Sequence, residues 1–237
     1  MQKMKNGLMY TKLAKYYDLI YHWKDYKKEG ARIKKLIKKY KKSRGNGLLD
    51  AACGTGHHLK FFKDNFSCMG IDINKEMLKI AKKNVRNVIF RKANMINFNL
   101  KKKFDVILCL FSSIGYVKTY PNLRRTIRNF SRHLKKGGVV MIEPWFRKLK
   151  FNAGMPGLTT YDGKYIKIAR VNNSKVKNNI SILDMHYLIA EKNKEIKYFV
   201  DRHELGLFEM NKISEFMKEA GLKTKFLKNG LMKDRGL

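Results

Sequence analysis

A regular alternation of apolar and amphipathic segments runs from Gly45 to Trp145, and this alternation limits the possible folds most strongly. Short apolar runs, which predict buried strands, take turns with segments whose apolar residues recur at helical spacing. Such a pattern is typical of a parallel sheet covered by helices on both faces, with right-handed crossovers. Ligands of these sheets bind at the carboxyl ends of the strands. The predicted strands are 46–52, 67–72, 87–93, 103–111 and 137–145, and the predicted helices are 56–65, 74–84 and 121–136.

Three boundaries within this region carry recognisable signals. Asn74 stands just before the second predicted helix, where its side chain can cap the first turn. Pro121 lies in the first turn of the third predicted helix, a position that tolerates the missing amide. The pair Gly137 and Gly138 predicts the end of that helix and the start of the last strand.

The sequence on either side of this region has a different pattern. Residues 8–44 carry aromatic and apolar residues at helical spacing, which predicts one or two amphipathic helices broken near Lys24–Lys28. Residues 151–208 are rich in strand-forming segments, with turn residues at 162–163 and 191–195. This second pattern predicts an antiparallel sheet inserted after the last parallel strand.

The C-terminal part returns to the pattern of the core. A helix over 211–221, ended by Gly221, and a strand over 222–228 are predicted there. The four predicted parts are a helical cap (1–44), a parallel-sheet core (45–146), an antiparallel substrate or lid insertion (147–208) and a helix and strand that complete the core (209–237).

Length and composition limit the class of protein. The 237 residues suit one sizeable domain, or a domain with a large insertion. No apolar run approaches the roughly 18 residues of a membrane span, and the basic N-terminus lacks the apolar core of a signal peptide. The 3 cysteines have no metal-binding spacing. These features predict a reduced, cytoplasmic protein without structural disulfides, a bound metal or a membrane partner.

The net charge of +34, from 53 basic and 19 acidic residues, has two explanations. Such an excess attracts polyanions, among them nucleic acid, anionic lipid and phosphorylated small molecules. Alternatively, abundant Lys, Asn and Ile reflect the composition of an AT-rich genome. A basic stripe that leads into a cleft would favour an RNA substrate, whereas an even scatter of cations would favour the compositional explanation.

The segment "LLDAACGTGHHL", residues 48–59, joins the first predicted strand to the first predicted helix. Gly54 and Gly56 permit a tight turn and a close approach of the backbone to a ligand. A dinucleotide fingerprint needs a third glycine where this sequence has Leu59, and the phosphate loop of nucleotide hydrolases is also absent. The segment therefore predicts a ligand site that holds no phosphate, with Leu59 packing the helix onto the sheet.

Polar residues follow the next predicted strands. Asp72 ends the second strand, where a carboxylate can accept both hydroxyls of a ribose. Asn94 and Met95 follow the third strand, and this pair suits an adenine, whose amino group the amide can bind while the apolar side chain covers the ring. The segment "LFSSIGY", residues 110–116, follows the fourth strand and can form the floor of a cleft.

The segments "LLDAACGTG", "GIDINKEML" and "FDVILCLFSS", together with the pair after strand three, resemble the class I S-adenosylmethionine (SAM) methyltransferases over residues 45–143. The resemblance implies an α/β fold: a Rossmann-like methyltransferase sheet with N-terminal helices and an antiparallel β insertion. It implies SAM as cofactor and S-adenosylhomocysteine as product. Asn94 replaces the Asp of many members, so weaker recognition of adenine is expected. The implied cofactor residues are Tyr26, Asp50, Ala51, Gly54, Gly56, Asp72, Asn94, Met95 and Leu110.

A more specific resemblance covers almost the whole chain. The stretches "YYDLIYHWKDY", "LFSSIGYVKT", "DMHYLIA" and "DRHELGLF" are similar to the dTDP-amino-sugar N,N-dimethyltransferases. That family methylates an amine on a nucleotide-linked deoxysugar, and its members continue past the position of Leu237 into a last strand. We therefore expect either that the sequence is shortened here or that the sheet lacks that strand. The resemblance implies SAM-dependent N-methylation of a small-molecule amine, in particular that of a nucleotide-linked amino sugar, by a monomer or homodimer.

Methyl transfer to an amine requires an unprotonated nitrogen in line with the methyl group, so positioning supplies much of the catalysis. Tyr21 and Tyr116 are the favoured positioning groups, and His203 is a weaker candidate for the general base. Arg170 and Arg235 stand where the family places basic residues near its diphosphate substrate. The remaining candidates for substrate binding are Tyr17, Glu143, Trp145 and His186.

Two other functions remain open at this point. An RNA methyltransferase would use the strongly basic surface, but no separate RNA-binding module is recognisable. The Asn/Asp-Pro-Pro-Tyr/Phe motif of amino-directed base methylases is absent, and Cys109, inside a buried strand, is expected to pack rather than to act as a nucleophile. A catalytically silent SAM-binding protein is disfavoured by the intact loop and Asp72.

Overall fold

The computed structural model describes residues 5–227 together with 230 and 231. The strands are β1 (Lys5–Asn6), β2 (Gly47–Ala51), β3 (Ser67–Asp72), β4 (Ile89–Lys92), β5 (Phe104–Cys109), β6 (Leu134–Ile142), β7 (Gly157–Asp162), β8 (Ile166–Lys177), β9 (Ile180–Glu191) and β10 (Lys197–Gly206). The α-helices are α1 (Tyr17–Ile20), α2 (Tyr26–Tyr40), α3 (Lys75–Asn84), α4 (Tyr120–Arg132) and α5 (Met210–Glu219). Short 3₁₀ helices span Ala14–Tyr16, His58–Phe61, Ser113–Val117 and Lys148–Lys150.

The first sheet is parallel throughout, in the strand order β4-β3-β2-β5-β6. All residues of β2 and β5 are buried, which is typical of strands covered on both faces. The chain passes from β2 outward to β3 and β4 and then returns to the other side of β2 for β5 and β6. The strand order therefore reverses between β2 and β5, where sheets of this kind bind ligands. The predicted parallel α/β sheet is confirmed.

Alternate side chains of β2 enter two separate hydrophobic cores. Leu49 packs in a cluster with Phe130 of α4, on one face of the sheet. Leu48 packs on the other face with Ile33 of α2 and with Leu59. Leu59 thus anchors the segment after the glycine loop to the sheet, as predicted.

The predicted helix over 56–65 is wrong in extent. Only the 3₁₀ turn His58–Phe61 is regular, and residues 62–66 form turns. Phe62 and Phe66 both contact the same core cluster. Because short isolated helices are marginal, the packing of these rings determines the path of the backbone.

Two predicted boundaries differ from the structure. Asn74 precedes α3, but its side chain makes no capping bond and instead donates to Asp72 Oδ1 at 3.3 Å. β6 begins at Leu134, so Gly137 lies inside the strand rather than before it. Its φ of +76° coincides with a register irregularity between β5 and β6, which explains the glycine there. Pro121 occupies the first turn of α4, as predicted.

The second sheet has the order β1-β10-β9-β8-β7. Strands β7 to β10 form three antiparallel hairpins, two through the turns predicted at 162–163 and 191–195 and one through a turn at 178–179, and β1 joins β10 in parallel. The predicted antiparallel insertion is confirmed. A third hydrophobic cluster, which includes Met9, Ile20, Met77 and Tyr187, connects the N-terminal segment to α3 and to this sheet.

The helices α2 and α5 agree with the helices predicted near the two ends of the chain, but the strand predicted after α5 does not. α2 begins inside the predicted break, where Asp25 Oδ1 accepts from Lys28 N at 2.8 Å. α5 ends before Gly221, whose φ is +78°. Residues 222–227 form no strand, so the predicted strand over 222–228 is wrong for its described part. Thr224 hydrogen-bonds back to α5 at 2.9 Å, which holds the segment against this helix instead of against a strand edge.

The three cysteines are buried and free. Among the residues that the structure describes, no helix combines the length and apolar character needed to cross a membrane.

Candidate active site

Two carboxylates lie at the carboxyl ends of β2 and β3, beside the reversal of strand order. Asp72 accepts hydrogen bonds from Gly54 N at 3.0 Å and from Asn74 N at 2.8 Å, so it fixes the glycine loop. Asp50 is buried, and its Oδ2 has no hydrogen-bond partner within the described part of the chain. A buried carboxylate oxygen of this kind requires a donor or a cation to offset its desolvation.

The electrostatics of this pair favour a positively charged ligand. Burial, and then the negative charge of Asp72, raise the pKa of Asp50 to about 8. Burial also raises the pKa of Asp72, although the backbone donors at Asn74 and Gly54 oppose that rise. SAM carries an ammonium and a sulfonium group, so the residues at this site fit its methionine end.

The loop between the two carboxylates has an unusual backbone. Ala52, Gly54 and Gly56 have positive φ angles of 62°, 55° and 78°. A Cβ on Gly56 would lie 3.3 Å from side chains of Ala81 and Val85, so glycine permits close packing of the loop on α3. Ala52 pays a steric cost for its conformation, and such strain is concentrated at functional sites.

The helix α1 in the N-terminal region contacts this loop through Asp18. Asp18 of α1 accepts from Thr55 Oγ1 at 2.7 Å and lies 3.0 Å from His57 Nε2. Burial raises the pKa of Asp18, but His57 and Thr55 outweigh that effect and hold it below its usual value. The carboxylate therefore clamps α1 onto the loop while it remains ionised.

A buried ionic cluster supports the other wall of the cleft. The side chains of Lys24 and Glu29 are 0% exposed, and Lys24 Nζ lies 2.5 Å from both Glu29 oxygens. His58 Nε2 lies 2.9 Å from Glu29 Oε2. Tyr26 stacks on His57 with ring centroids 4.8 Å apart. Burial raises the pKa of Glu29, but His58 and Lys24 reverse this and hold it at about 2.

A single cleft brings together five of the residues predicted from sequence. Tyr26, Asp50, Gly54 and Leu110 line it, as the cofactor prediction requires, and Tyr17 lines it as well. Ala51 is buried at the end of β2, directly before the loop. The lining residues are Tyr17, Tyr26, Asp50, Ala52, Cys53, Gly54, Thr55, His57, His58, Leu110, Phe111 and Ser113.

The predicted adenine residues lie beyond Asp72. Ala93 N donates to Asp72 O at 3.0 Å, so the segment after β4 begins beside the ribose candidate. Asn94 Oδ1 accepts from Ile96 N at 3.0 Å. Met95 is half-buried against the core that contains Leu49. The amide oxygen of Asn94, the atom that would accept from an adenine amino group, thus already accepts one backbone hydrogen bond.

The segment after β5 is strained and supported by Glu143. Phe111 and Ser112 have positive φ angles of 51° and 59°, which are rare for residues with side chains. The buried Glu143 carboxylate accepts from Phe111 N at 2.6 Å, and Ser112 Oγ donates to Pro144 O at 3.1 Å. Glu143 therefore orders the floor of the cleft.

Three side chains form a hydrogen-bonded row behind this floor, and a buried carboxylate lies beside its last member. Tyr116 OH lies 2.6 Å from Tyr10 OH and 2.7 Å from His203 Nδ1. His203 Nε2 lies 3.1 Å from Asp201 Oδ2 but makes no hydrogen bond with it. Asp201 in turn accepts from the backbone amides of Leu8 and Met9 at 3.0 and 2.8 Å. We call Tyr10, Tyr116, His203 and Asp201 the tyrosine–histidine row.

Tyr21 belongs to a second group that joins the cap to the antiparallel sheet. Its ring packs at 4.7 Å from Tyr17 and edge-on at 5.1 Å from Phe111. Arg170 is buried, donates to Tyr21 OH at 3.1 Å and donates to Thr159 Oγ1 at 2.7 Å. Arg170 Nε has no hydrogen-bond partner in the described part of the molecule.

Three candidates remain: Trp145 lies beside Gly115, next to Tyr116, whereas His186 lies away from the cleft and Arg235 lies outside the described residues. Trp145 is half-buried, and its Nε1 donates to Ser181 Oγ at 2.9 Å. His186 is exposed on the face of the antiparallel sheet opposite to Arg170, with Nδ1 2.6 Å from Tyr198 OH. The structure therefore does not bring His186 to the cleft. Arg235 lies outside the described residues.

Sequence reasoning missed several residues of the site. Asp201 could have been found, because Asp201 and His203 are two apart on a predicted strand and so share a face. Tyr10, Asp18 and Glu29 gave no local signal, since each acts through a contact distant in sequence.

Comparisons with known proteins agree with this geometry. A family described as a methyltransferase domain matches residues 48–138. The dTDP-3-amino-3,4,6-trideoxy-alpha-D-glucopyranose N,N-dimethyltransferase of Streptomyces venezuelae is 33% identical over 222 residues, 92% of each chain. The crystal structure of Streptomyces venezuelae DesVI superposes with a TM-score of 0.87 at 32% identity, covering 92% of this chain and 93% of that one. SAM-bound CalS10, an amino pentose methyltransferase from Micromonospora echinaspora, gives a TM-score of 0.76 at 27% identity and covers 84% of both chains.

Proposed function

The chain belongs to the family of SAM-dependent dTDP-amino-sugar N,N-dimethyltransferases, and from this premise we propose that it methylates the amine of a nucleotide-linked amino sugar. The proposal rests on two features at one edge of the parallel sheet. The buried carboxylates of Asp50 and Asp72 suit SAM, and the tyrosine–histidine row reaches the cleft that Asp50 lines through Tyr10, whose ring centre lies 6.1 Å from that of Tyr17. When bound, SAM supplies a sulfonium methyl, whose carbon–sulfur bond breaks as a bond to the amine nitrogen forms.

Asp50, Asp72 and the glycine loop are proposed to hold SAM. Asp72, already fixed by Gly54 N and Asn74 N, presents its carboxylate to the ribose hydroxyls. Asp50 offers its unpartnered oxygen to the positive charge at the methionine end. Tyr26 and Leu110 form apolar walls of the same cleft.

The tyrosine–histidine row is proposed to accept the proton that the amine loses. Asp201 lies beside Nε2 of His203, which favours a proton on that nitrogen and leaves Nδ1 to accept from Tyr116 OH. The amine proton passes to the Tyr116 oxygen while the Tyr116 proton passes to His203. The resulting imidazolium is paired with Asp201, as in other carboxylate–histidine pairs.

The electrostatics of Tyr116 support a relay rather than a tyrosinate base. Burial raises the pKa of the Tyr116 phenol far above its usual value, so the phenol stays neutral at physiological pH. A neutral phenol can donate and accept at once, which a relay requires. The row therefore transfers a proton without placing a negative charge on Tyr116.

Tyr21 and Arg170 are proposed to position the substrate. Arg170 fixes the Tyr21 hydroxyl beside Phe111 and Tyr17, and its Nε remains to donate to an acceptor on the substrate. Arg235, Trp145 and Glu143 keep their predicted roles around the nucleotide-sugar as part of this proposal. The protein needs no chemistry beyond alignment and proton transfer, and alignment alone contributes about 7–11 kcal/mol in favourable cases.

Turnover of a substrate panel with isotopically labelled SAM tests this function. The panel contains a dTDP-linked amino sugar, the same amino sugar without nucleotide, a simple primary amine and total RNA. We expect methyl incorporation into the nucleotide-linked sugar above all others. Incorporation into RNA alone, or equal incorporation into all amines, would contradict the proposal. The Tyr21→Phe variant serves as a control for substrate positioning, because it retains the ring but loses the Arg170 contact.

A further inference from the structure

The amino ends of the parallel strands carry a concentration of exposed cations. Four connecting segments and the start of β6 lie there, and we call these five segments the amino edge: 41–46, 63–66, 85–88, 101–103 and 132–137. They contain eleven Lys or Arg residues and a single acid, Asp64. The chain as a whole has 53 basic and 19 acidic residues, so acids are depleted at this edge even by the standard of this protein.

Backbone hydrogen bonds hold four of these five segments next to one another. Backbone amides of Lys42 and Ser43 donate to Gly137 O at 2.7 and 2.8 Å, which joins the segment before β2 to the start of β6. Phe104 N donates to His133 O at 2.7 Å, which joins the segment before β5 to the same place. Ser67 N donates to Asn46 O at 2.9 Å and adds the segment before β3.

Few of these charges are neutralised by the protein. Lys135 pairs with the buried Asp105 at 2.9 Å, and Lys63 pairs with Asp64 at 2.8 Å. No other ion pair of the described residues involves this edge. The exposed cations without an acidic partner there are Lys42, Arg44, Arg86, Lys101, Lys102, Lys103, Arg132 and Lys136.

The dimensions of the edge match a phosphate chain. Five strands spaced about 4.8 Å apart extend the amino edge over roughly 19 Å. A nucleic acid strand in a helix carries one phosphate about every 3.4 Å, so about five phosphates fit along this length. The amino edge lies one strand length from the cleft, which is about 17 Å for the five residues of β2. A polymer bound there would not cover the active site.

We propose that the amino edge binds the phosphate backbone of RNA, without presenting that RNA for methylation. The surface chemistry favours a polynucleotide over an anionic membrane. The five segments contain no exposed large apolar side chain, whereas binding of a membrane surface uses apolar side chains that enter the lipid. Lys39 and Lys225 lie 5.7 and 5.5 Å from the centre of the Tyr40 ring, beside the edge, and such cation–aromatic groups also occur in single-strand binding sites.

Fluorescence anisotropy with a labelled single-stranded RNA of mixed sequence tests the proposal. An amino-edge variant carries Lys42→Gln, Arg44→Gln, Lys103→Gln and Lys136→Gln. A matched control carries Lys164→Gln, Lys175→Gln, Lys177→Gln and Lys192→Gln, all exposed on the antiparallel sheet. Both variants lose four charges, so non-local effects of net charge are equal. Circular dichroism and thermal melting verify that both are folded.

We expect the amino-edge variant to bind RNA at least about tenfold more weakly than the control. The slope of log K against log salt should fall by up to about 3 in the amino-edge variant, since each contact with a single strand contributes about 0.7. Equal weakening by both variants would assign the binding to net charge and overturn the proposal. Binding of phosphatidylserine vesicles in preference to RNA, or no RNA binding by the unaltered protein at physiological salt, would also overturn it. Methyl incorporation into the bound RNA would contradict the separation of this edge from the cleft.

Discussion

The two edges of the parallel sheet have opposite chemistry. At the carboxyl edge, the carboxylates of Asp50, Asp72 and Glu143 are buried. At the amino edge, exposed cations outnumber acids and lie on short connections. At the carboxyl edge, specific hydrogen bonds and a strained backbone fix the site. At the amino edge, binding of a ligand depends on the number of charges. This contrast implies that single substitutions have large effects at the carboxyl edge and small effects at the amino edge.

The largest effect is expected from the tyrosine–histidine row. His203→Gln should lower kcat by about 10²–10⁴-fold, the usual contribution of general acid–base catalysis, while SAM binding is unchanged. Tyr116→Phe should give a similar loss, because it also interrupts the relay. Steady-state kinetics over a range of pH provide the measurement. A merely structural row would lower stability in both variants and leave the pH profile of kcat unchanged.

The buried Lys24–Glu29 pair allows a direct comparison of stability at the two edges. Glu29→Gln leaves Lys24 without its charged partner and should lower the free energy of unfolding by about 3–5 kcal/mol. Asp64→Asn breaks the exposed Lys63–Asp64 pair of the amino edge and should cost at most about 1 kcal/mol. Urea unfolding measures both. Equal losses would show that burial does not distinguish the two edges.

The contribution of Glu29 to the free energy of unfolding also depends on pH. The folded pKa of Glu29, about 2, is below its ordinary value of 4.5, so the folded state favours the ionised form. Its stabilisation is present above about pH 4.5 and is lost as the pH falls from there toward 2. The Glu29→Gln variant should lack this part of the acid unfolding curve.

Asp72 is expected to have an intermediate effect on cofactor binding. Asp72→Ala removes the acceptor of the ribose hydroxyls and should weaken SAM binding by about 1–3 kcal/mol. Titration calorimetry is the measurement, with Asp64→Asn as a matched loss of one acid at the other edge. Unchanged SAM affinity in Asp72→Ala would remove this residue from the site.

The smallest of these effects is a pH dependence of SAM affinity that originates at Asp50. Because the pKa of Asp50 is about 8, the carboxyl is protonated at neutral pH and must ionise to pair with a cation. SAM affinity should therefore increase with pH, by at most tenfold per unit, and reach a plateau above about pH 8. Asp50→Asn should abolish this dependence. A pH-independent affinity in the unaltered protein would contradict the assignment.

The carboxyl edge was largely predictable from the sequence, but only where its residues follow strands directly. Asp50, Gly54 and Asp72 stand at fixed places after apolar runs, so strand prediction also located them. The tyrosine–histidine row was found only in part, because the parallel pairing of β1 with β10 brings the segment that carries Tyr10 beside Asp201, which accepts from the amides of Leu8 and Met9. Such pairing between distant segments has no local signature.

Two errors have a common physical cause. The segment 222–228 alternates like a strand, yet residues 222–227 pair with no sheet, since alternation does not supply a partner edge. The segment 56–65 has helical spacing, but the burial of Phe62 and Phe66 determines its path instead. The sequence alone shows the net charge but not the amino edge, because only the strand order brings its segments together.

Turnover of a dTDP-linked amino sugar by the His203→Gln and amino-edge variants, measured side by side, tests most directly whether the methyl transfer belongs to the carboxyl edge alone. We predict that the amino-edge variant keeps the kcat/KM of the unaltered protein, and that His203→Gln loses about 10²-fold or more while it still binds SAM. A comparable loss of turnover in the amino-edge variant, or full activity in His203→Gln, would contradict the account.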